Sequence, residues 1–291
     1  MANIRAALAL MANAFAWGVS WWPFRQLQEM GLHPLWATAI VYLVALVFLL
    51  IAQPNAWRGL QRYPALWVLA LAAGLTNVGF NWAVTTGDVV RVVLLFYLMP
   101  AWVVLLAWPL LGEKPDGAAL MRLALALAGV VVVLKTPDLA WPWPESLADW
   151  LGLMGGAAFA LTNILLRKLN QAPQSSSMLA MFGGSAVTTA AIALLGMQLG
   201  LVTALPAAQT HWLLWVSGLS LFILAGNIGL QYGAARLSAN ATSIIMLSEV
   251  VFASVSAVLL GASEVTMHSL LGGFLILLAA VLSAVHTQAV H

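Results

Sequence analysis

The chain has 291 residues, of which 63% are apolar and 7% charged, with 11 Lys and Arg against 9 Asp and Glu. Mean hydropathy is +0.98. Ordinary soluble domains carry about 25% charged residues, so a soluble fold, a disordered chain and a nucleic-acid binder are all excluded. The chain reads as an all-α integral membrane protein without a soluble domain.

In chain order, apolar stretches predict ten transmembrane helices at about 4–24, 34–52, 65–86, 89–111, 118–135, 148–167, 178–199, 211–233, 240–260 and 266–286. Each is close to the ~20 residues a span needs. Lipid excludes unpaired backbone, so each stretch is a helix. Runs such as VVVVL lack the alternation of a membrane β-barrel. The first stretch follows Arg5 and runs into Trp21-Trp22-Pro23 with no small-residue cleavage site, so it is read as a retained helix. The fourth carries Pro100 in mid-span, which predicts a kink. Absence of cysteine removes disulfides, thiol catalysis and thiolate metal sites.

Orientation follows from Lys and Arg. With the N-terminus in the cytoplasm, Arg5, Arg58, Arg62, Lys114, Arg122, Arg167, Lys168 and Arg236 lie inside. Arg25, Arg91 and Lys135 lie outside, with most acids. An even span count puts the C-terminus inside too. Most tryptophans stand at predicted ends, where they serve as interfacial anchors. Trp17, Trp82 and Trp102 fall well inside spans.

The two halves match at offsets near 150. Asn77-Val-Gly-Phe-Asn-Trp-Ala pairs with Asn227-Ile-Gly-Leu-Gln-Tyr-Gly, Leu110-Leu-Gly112 with Leu259-Leu-Gly261, and Ala14-Phe-Ala16 with Ala158-Phe-Ala160. Five spans per copy is odd, so the copies are inverted. The expectation is a first repeat over 1–140 and a second over 141–291, the plan of many secondary transporters.

Leu98-Met-Pro100 followed by Leu111-Gly-Glu-Lys-Pro115 resembles the end of the first repeat of EamA-type members of the drug/metabolite transporter superfamily. Leu247-Ser-Glu-Val250, Leu259-Leu-Gly261 and Glu264 resemble the second-repeat counterpart. Valine replaces the usual second proline, so the ninth helix is expected to be straighter than the fourth. The first-span Phe15-Ala-Trp-Gly-Val-Ser20, the length and the tryptophan content are similar to the YddG-type amino-acid exporters. That resemblance implies export of aromatic and other neutral amino acids across a bacterial inner membrane.

Polar groups inside lipid are costly and mark candidate sites. Glu249 is the one acid near mid-span. It suits a substrate ammonium, a proton or a helix-packing bond. Asn77 and Asn81 share a helix face, and Asn227 and Gln231 repeat the arrangement. Their amides suit a zwitterion or interhelical bonding. Asn13, Trp17 and Ser20 share a face of the first span. Trp17, Trp82, Tyr97, Trp102 and Tyr232 supply rings at depth, and Asn163 and Met246 join the candidate binding set. Arg91 is a candidate gate residue, paired locally with Asp88 or free to meet a carboxylate. Pro100 is a candidate hinge. Gly152-xxx-Gly156 and Gly229-xxx-Gly233 are assigned to helix contact.

Enzyme chemistry is not expected. His33, His211, His268, His286 and His291 fall at predicted ends, and Glu249 has no companion metal ligand. No ATP-binding loop occurs. The expected partners are a small-molecule substrate and membrane lipid, with no metal, no cofactor and no nucleic acid, and the chain is read as a monomer. The runner-up reading is export of lipophilic cations, held by Glu249 and the rings. A channel has the same sequence appearance.

Overall fold

The computed structural model describes residues 2–112, 114–134, 143–207, 209–234, 236–237, 245–264 and 266–286. Every regular element among them is helical: α1 (Ala2–Val19), α2 (Trp21–Glu29), α3 (Pro34–Ala52), α4 (Arg58–Arg62), α5 (Ala65–Thr86), α6 (Val89–Phe96), α7 (Met99–Leu111), α8 (Gly117–Leu134), α9 (Leu147–Lys168), α10 (Gln174–Gln198), α11 (Thr210–Ala234), α12 (Ser248–Leu259) and α13 (Met267–His286). Six segments are long and apolar enough to cross a membrane: α3, α5, α6 with α7, α9, α10 and the Thr210–Leu230 part of α11. The four other predicted stretches are helical as well. Residues 240–244 of the ninth stretch lie outside the described residues, as do Lys135, Asp138 and Trp141.

Proline sets two of the breaks. Its missing N–H withholds a helical donor from the carbonyl four positions earlier. Pro23 acts on Val19, the last residue of α1, and Pro100 acts on Phe96, the last residue of α6. Pro100 therefore does not kink a continuous helix, as the sequence suggested. It occupies the second position of a new one, where no N–H is required. The ninth stretch is interrupted too. Leu247 forms a turn before α12, and Ser248 Oγ donates to Ile245 O at 2.7 Å, bonding that replaces a helix rung.

Helices cross where glycine lets backbones touch. Gly79 of α5 lies on α9, where an added Cβ would come 2.6 Å from Leu151 O and 2.7 Å from Gly155 Cα. Gly229 of α11, its sequence match, lies on α1, 2.8 Å from Ala9 O by the same measure. Gly129 and Gly272 join α8 to α13, and Gly184 of α10 meets Ala70 of α5. Gly152 and Gly156 receive Val92 and Phe96 of α6, and Gly233 receives Ala6 and Leu10, so both GxxxG pairs are helix contacts.

His33 caps α3. Its Nδ1 accepts from Leu35 N at 3.2 Å, and its ring meets the Trp82 edge at 5.2 Å. Burial lowers its pKa to about 4.

Two predictions follow from these contacts. Gly79→Ala should lower the melting temperature by several degrees, because both clashing groups are backbone. Gly218→Ala, which meets nothing within 4 Å, should leave it unchanged or raise it. For His33, the folded state binds its proton later than the unfolded state as pH falls. Stability is therefore complete above about pH 6.5 and declines toward pH 4, by about 1–3 kcal/mol. His33→Asn keeps a capping acceptor and should flatten that part of a thermal-melt pH series.

Candidate functional site

The two broken helices meet. Tyr97, at the end of α6, donates from its hydroxyl to Glu249 Oε2 at 3.0 Å, in the first turn of α12. Neither α7 nor α12 has a side-chain cap, their cap positions being Leu98 and Leu247. The Glu249 carboxyl thus sits at the positive end of α12. Gly18 of α1 brings that helix against the Glu249 carbonyl and Phe252.

Around the breaks stand the amides. Asn13 of α1 is fully buried and donates from Nδ2 to Met246 Sδ at 3.5 Å, one residue before the Leu247 turn. Asn163 of α9 is exposed and donates to Phe159 O at 2.9 Å and Met99 Sδ at 3.7 Å, one residue after Leu98. Each amide thus reaches, from one half of the chain, the methionine bordering the break in the other.

Asn77 is bonded at both ends of its amide. Its Oδ1 accepts from Tyr42 at 2.8 Å, and its Nδ2 donates to Ala73 O and Ser185 Oγ at 3.0 Å each. It ties α3, α5 and α10. Asn81 is different. Its Nδ2 donates to Thr38 Oγ1 at 3.0 Å, but its Oδ1 is buried with no partner. Asn13 Oδ1 and Trp102 Nε1 are buried and unpartnered too.

Trp82 is buried and Trp17 half-buried, packed against the clusters around Val41 and Tyr42. Asn227 donates to Ile223 O at 2.9 Å, the backbone bond that Asn77 makes to Ala73. Tyr232 carries Arg236 at 3.8 Å over its ring, near the end of α11. The Gln231 side chain lies outside the described residues.

One end of the bundle is clasped. Arg25 donates from Nη2 to Gly87 O at 2.5 Å and from Nε to Val84 O at 3.2 Å, capping the last carbonyls of α5. Asp88 caps α6 through Arg91 N at 2.8 Å and accepts from the Ser263 hydroxyl. Arg91 does not pair its guanidinium with Asp88, as the short turn suggested. It forms a fork with Asp149, Nε to Oδ1 at 2.8 Å and Nη2 to Oδ2 at 3.0 Å, and donates to Val133 O at 3.1 Å. The Asp88 carboxylate is already held by backbone and Ser263. The partner is 58 residues away, on α9. Its capping box with Ser146 is a legible sequence pattern, but its link to Arg91 is not. Arg25 was likewise read only as an outer charge. An open cleft of about 450 Å³ beside the clasp is lined by Arg25, Gln28, Glu29, Thr85 and Thr86. Among the described residues no group of three or more metal-ligating side chains occurs.

Residues 4–135 match the EamA-like transporter family. The match supports the drug/metabolite transporter superfamily, whose members are multi-pass membrane proteins. No curated protein matches. One crystal structure is similar over 98% of this chain and 98% of its own, at 17% identity and a TM-score of 0.55. At that identity the likeness is one of fold.

The Arg91–Asp149 fork should be strongly coupled. Asp149→Asn leaves a partly buried guanidinium without its charge partner, a loss of about 3 kcal/mol. A thermal-stability cycle with Arg91→Gln should show the double variant less damaged than the sum of the singles. Additive losses would mean that the pair carries no coupling.

Proposed function

We propose that the protein is a secondary transporter that exports aromatic and other neutral amino acids across a bacterial inner membrane by alternating access. Both termini are placed in the cytoplasm, and the working unit is one chain. The observation that carries this reading is the set of unpartnered polar atoms in the central spans. Asn13 Oδ1 and Asn81 Oδ1 offer acceptors, and Trp102 Nε1 offers a donor. A buried polar group without a partner costs about 1–3 kcal/mol, so these atoms call for a ligand that both donates and accepts. A zwitterion does so through its ammonium and carboxylate. Glu249 beside Tyr97 adds an acceptor for the ammonium, and Trp17, Trp82 and Trp102 add surface for an apolar side chain.

Alternating access has separate support. Gly79 and Gly229 are related by the sequence repeat and make equivalent close contacts in opposite halves. The breaks at Leu98 and Leu247 fall at matched positions. Inverted halves with discontinuous helices near the midplane are a transporter plan. The Arg25, Asp88 and Arg91 clasp ties helix ends together at one end of the bundle.

Export of a lipophilic cation is the second reading, favoured by a lone acid among rings. Counterflow of phenylalanine in proteoliposomes separates the two. Saturable exchange, competed by neutral amino acids, is expected. Glu249→Gln should slow it at least tenfold while the melting temperature is kept, because the amide retains volume and an acceptor but loses the charge. Exchange of tetraphenylphosphonium that amino acids do not compete would select the second reading. Unchanged kinetics in the Gln variant would remove Glu249 from substrate contact.

A further inference from the structure

The clasp contains two arginines, and they are held differently. Arg91 is locked, its fork closed on the Asp149 carboxylate at 2.8 and 3.0 Å. The residue that the sequence left free to meet a substrate carboxylate is therefore engaged. Arg25 of α2 bonds only neutral carbonyls, Nε to Val84 O at 3.2 Å and Nη2 to Gly87 O at 2.5 Å. Both of its Nη groups keep N–H donors with no acceptor among the described residues. The guanidinium is half-buried, seated over the Trp21 ring at 5.2 Å, and stands in the field of two acids, Asp88 and Glu29. Asp88 accepts from Arg91 N and Ser263, and Glu29 Oε2 accepts from Gln26 Nε2 at 3.1 Å. Among the described residues the ion pair is Arg91 with Asp149, so Arg25 pairs with neither acid.

The cleft beside the clasp gives those donors a space to face. Its volume of about 450 Å³, lined by Arg25, Gln28, Glu29, Thr85 and Thr86, falls within the range of about 300–1,000 Å³ for small-molecule sites. Arg25 and Glu29, four residues apart on α2, put opposite charges on one cleft without meeting each other. A ligand with a charge of each sign completes both. Thr85 links the cleft to the centre of the protein. Its hydroxyl donates to Asn81 O at 3.1 Å and to Trp82 O at 2.9 Å. One turn of α5, about 5.4 Å, separates this wall of the cleft from Asn81, whose Oδ1 is buried and unpartnered.

We propose that this cleft is a second amino-acid site, at the mouth of the transport path, in which Arg25 takes the carboxylate and Glu29 the ammonium. The proposal rests on the export reading above, which puts the cleft on the outer side. A carboxylate suits Arg25 because it accepts two parallel bonds from one guanidinium and adds a charge attraction that the Val84 and Gly87 carbonyls lack. Arg91 then serves as the fixed arginine of the clasp and Arg25 as the receiving one.

The chain has no cysteine, so a single thiol can report on the cleft. In Gln28→Cys, millimolar phenylalanine should slow maleimide labelling at position 28 several-fold. Two half-ligands separate the charges: 3-phenylpropionate carries only the carboxylate and phenethylamine only the ammonium, and each should protect more weakly. Adding Arg25→Gln, which keeps a donor for the α5 carbonyls, should abolish protection by 3-phenylpropionate, and Arg25→Lys, which keeps the charge without the fork, should retain part of it. Adding Glu29→Gln should abolish protection by phenethylamine alone. Protection should survive Glu249→Gln, which alters the central site. No protection by any of the three compounds, protection by 3-phenylpropionate that survives Arg25→Gln, or protection lost in Glu249→Gln would each overturn the proposal. Labelling needs no turnover, so the two readings fail separately. Counterflow without protection leaves export standing and removes the cleft, whereas protection without counterflow keeps the cleft as a binding site and removes export.

Discussion

A helix that stops inside a membrane leaves carbonyls and N–H groups that hydrocarbon cannot bond. Among the described residues, helices stop inside predicted spans at Tyr97–Leu98 and at Leu247. Both stops are affordable only where protein surrounds them. Helix α9 lies along α6 and α7, α1 lies along α12, and Tyr97 bonds across to Glu249. The freed backbone of one half thus faces the side chains of the other. A centre of exposed helix ends, amides and one acid results from this single constraint.

Holding the enclosure requires close helices, and hydrocarbon gives no hydrophobic drive between them. Glycine supplies the approach instead. Gly79 on Gly155, Gly229 on Ala9 and Gly18 on the Glu249 carbonyl bring backbone to backbone. Polar ties join helix ends as well, Arg25 on the α5 carbonyls and Arg91 on Asp149.

Much of the fold was legible because lipid makes sequence simple. Pro34–Ala52 and Ala65–Thr86 coincide with predicted spans, since apolar runs bounded by proline, charge or a glycine turn leave little choice. The breaks were half legible. Proline announces the stop at Phe96 but misplaces it by four residues unless the geometry of the missing bond is applied. Nothing announces the turn at Leu247, where a serine bonding its own backbone replaces proline. Long-range pairing was not legible. Arg91 seemed destined for Asp88 three residues away, yet its fork closes on Asp149, 58 residues on, a carboxylate that also accepts from Glu145 N. Asn77 and Asn81 looked like one motif and do different work, because only tertiary neighbours decide which amide is saturated.

Saturation is the distinction that matters for function. In water an unpaired amide simply bonds solvent, and nothing follows from it. In a bilayer the same atom needs a partner that the protein, trapped water or a ligand must supply. Four buried side-chain atoms among the described residues lack one: those of Asn13, Asn81, Trp102 and Arg122. The first three lie on α1, α5 and α7, and they are the atoms that the proposed function assigns to the substrate. Such transient satisfaction suits transport, because a site that is fully bonded when empty gains nothing from substrate.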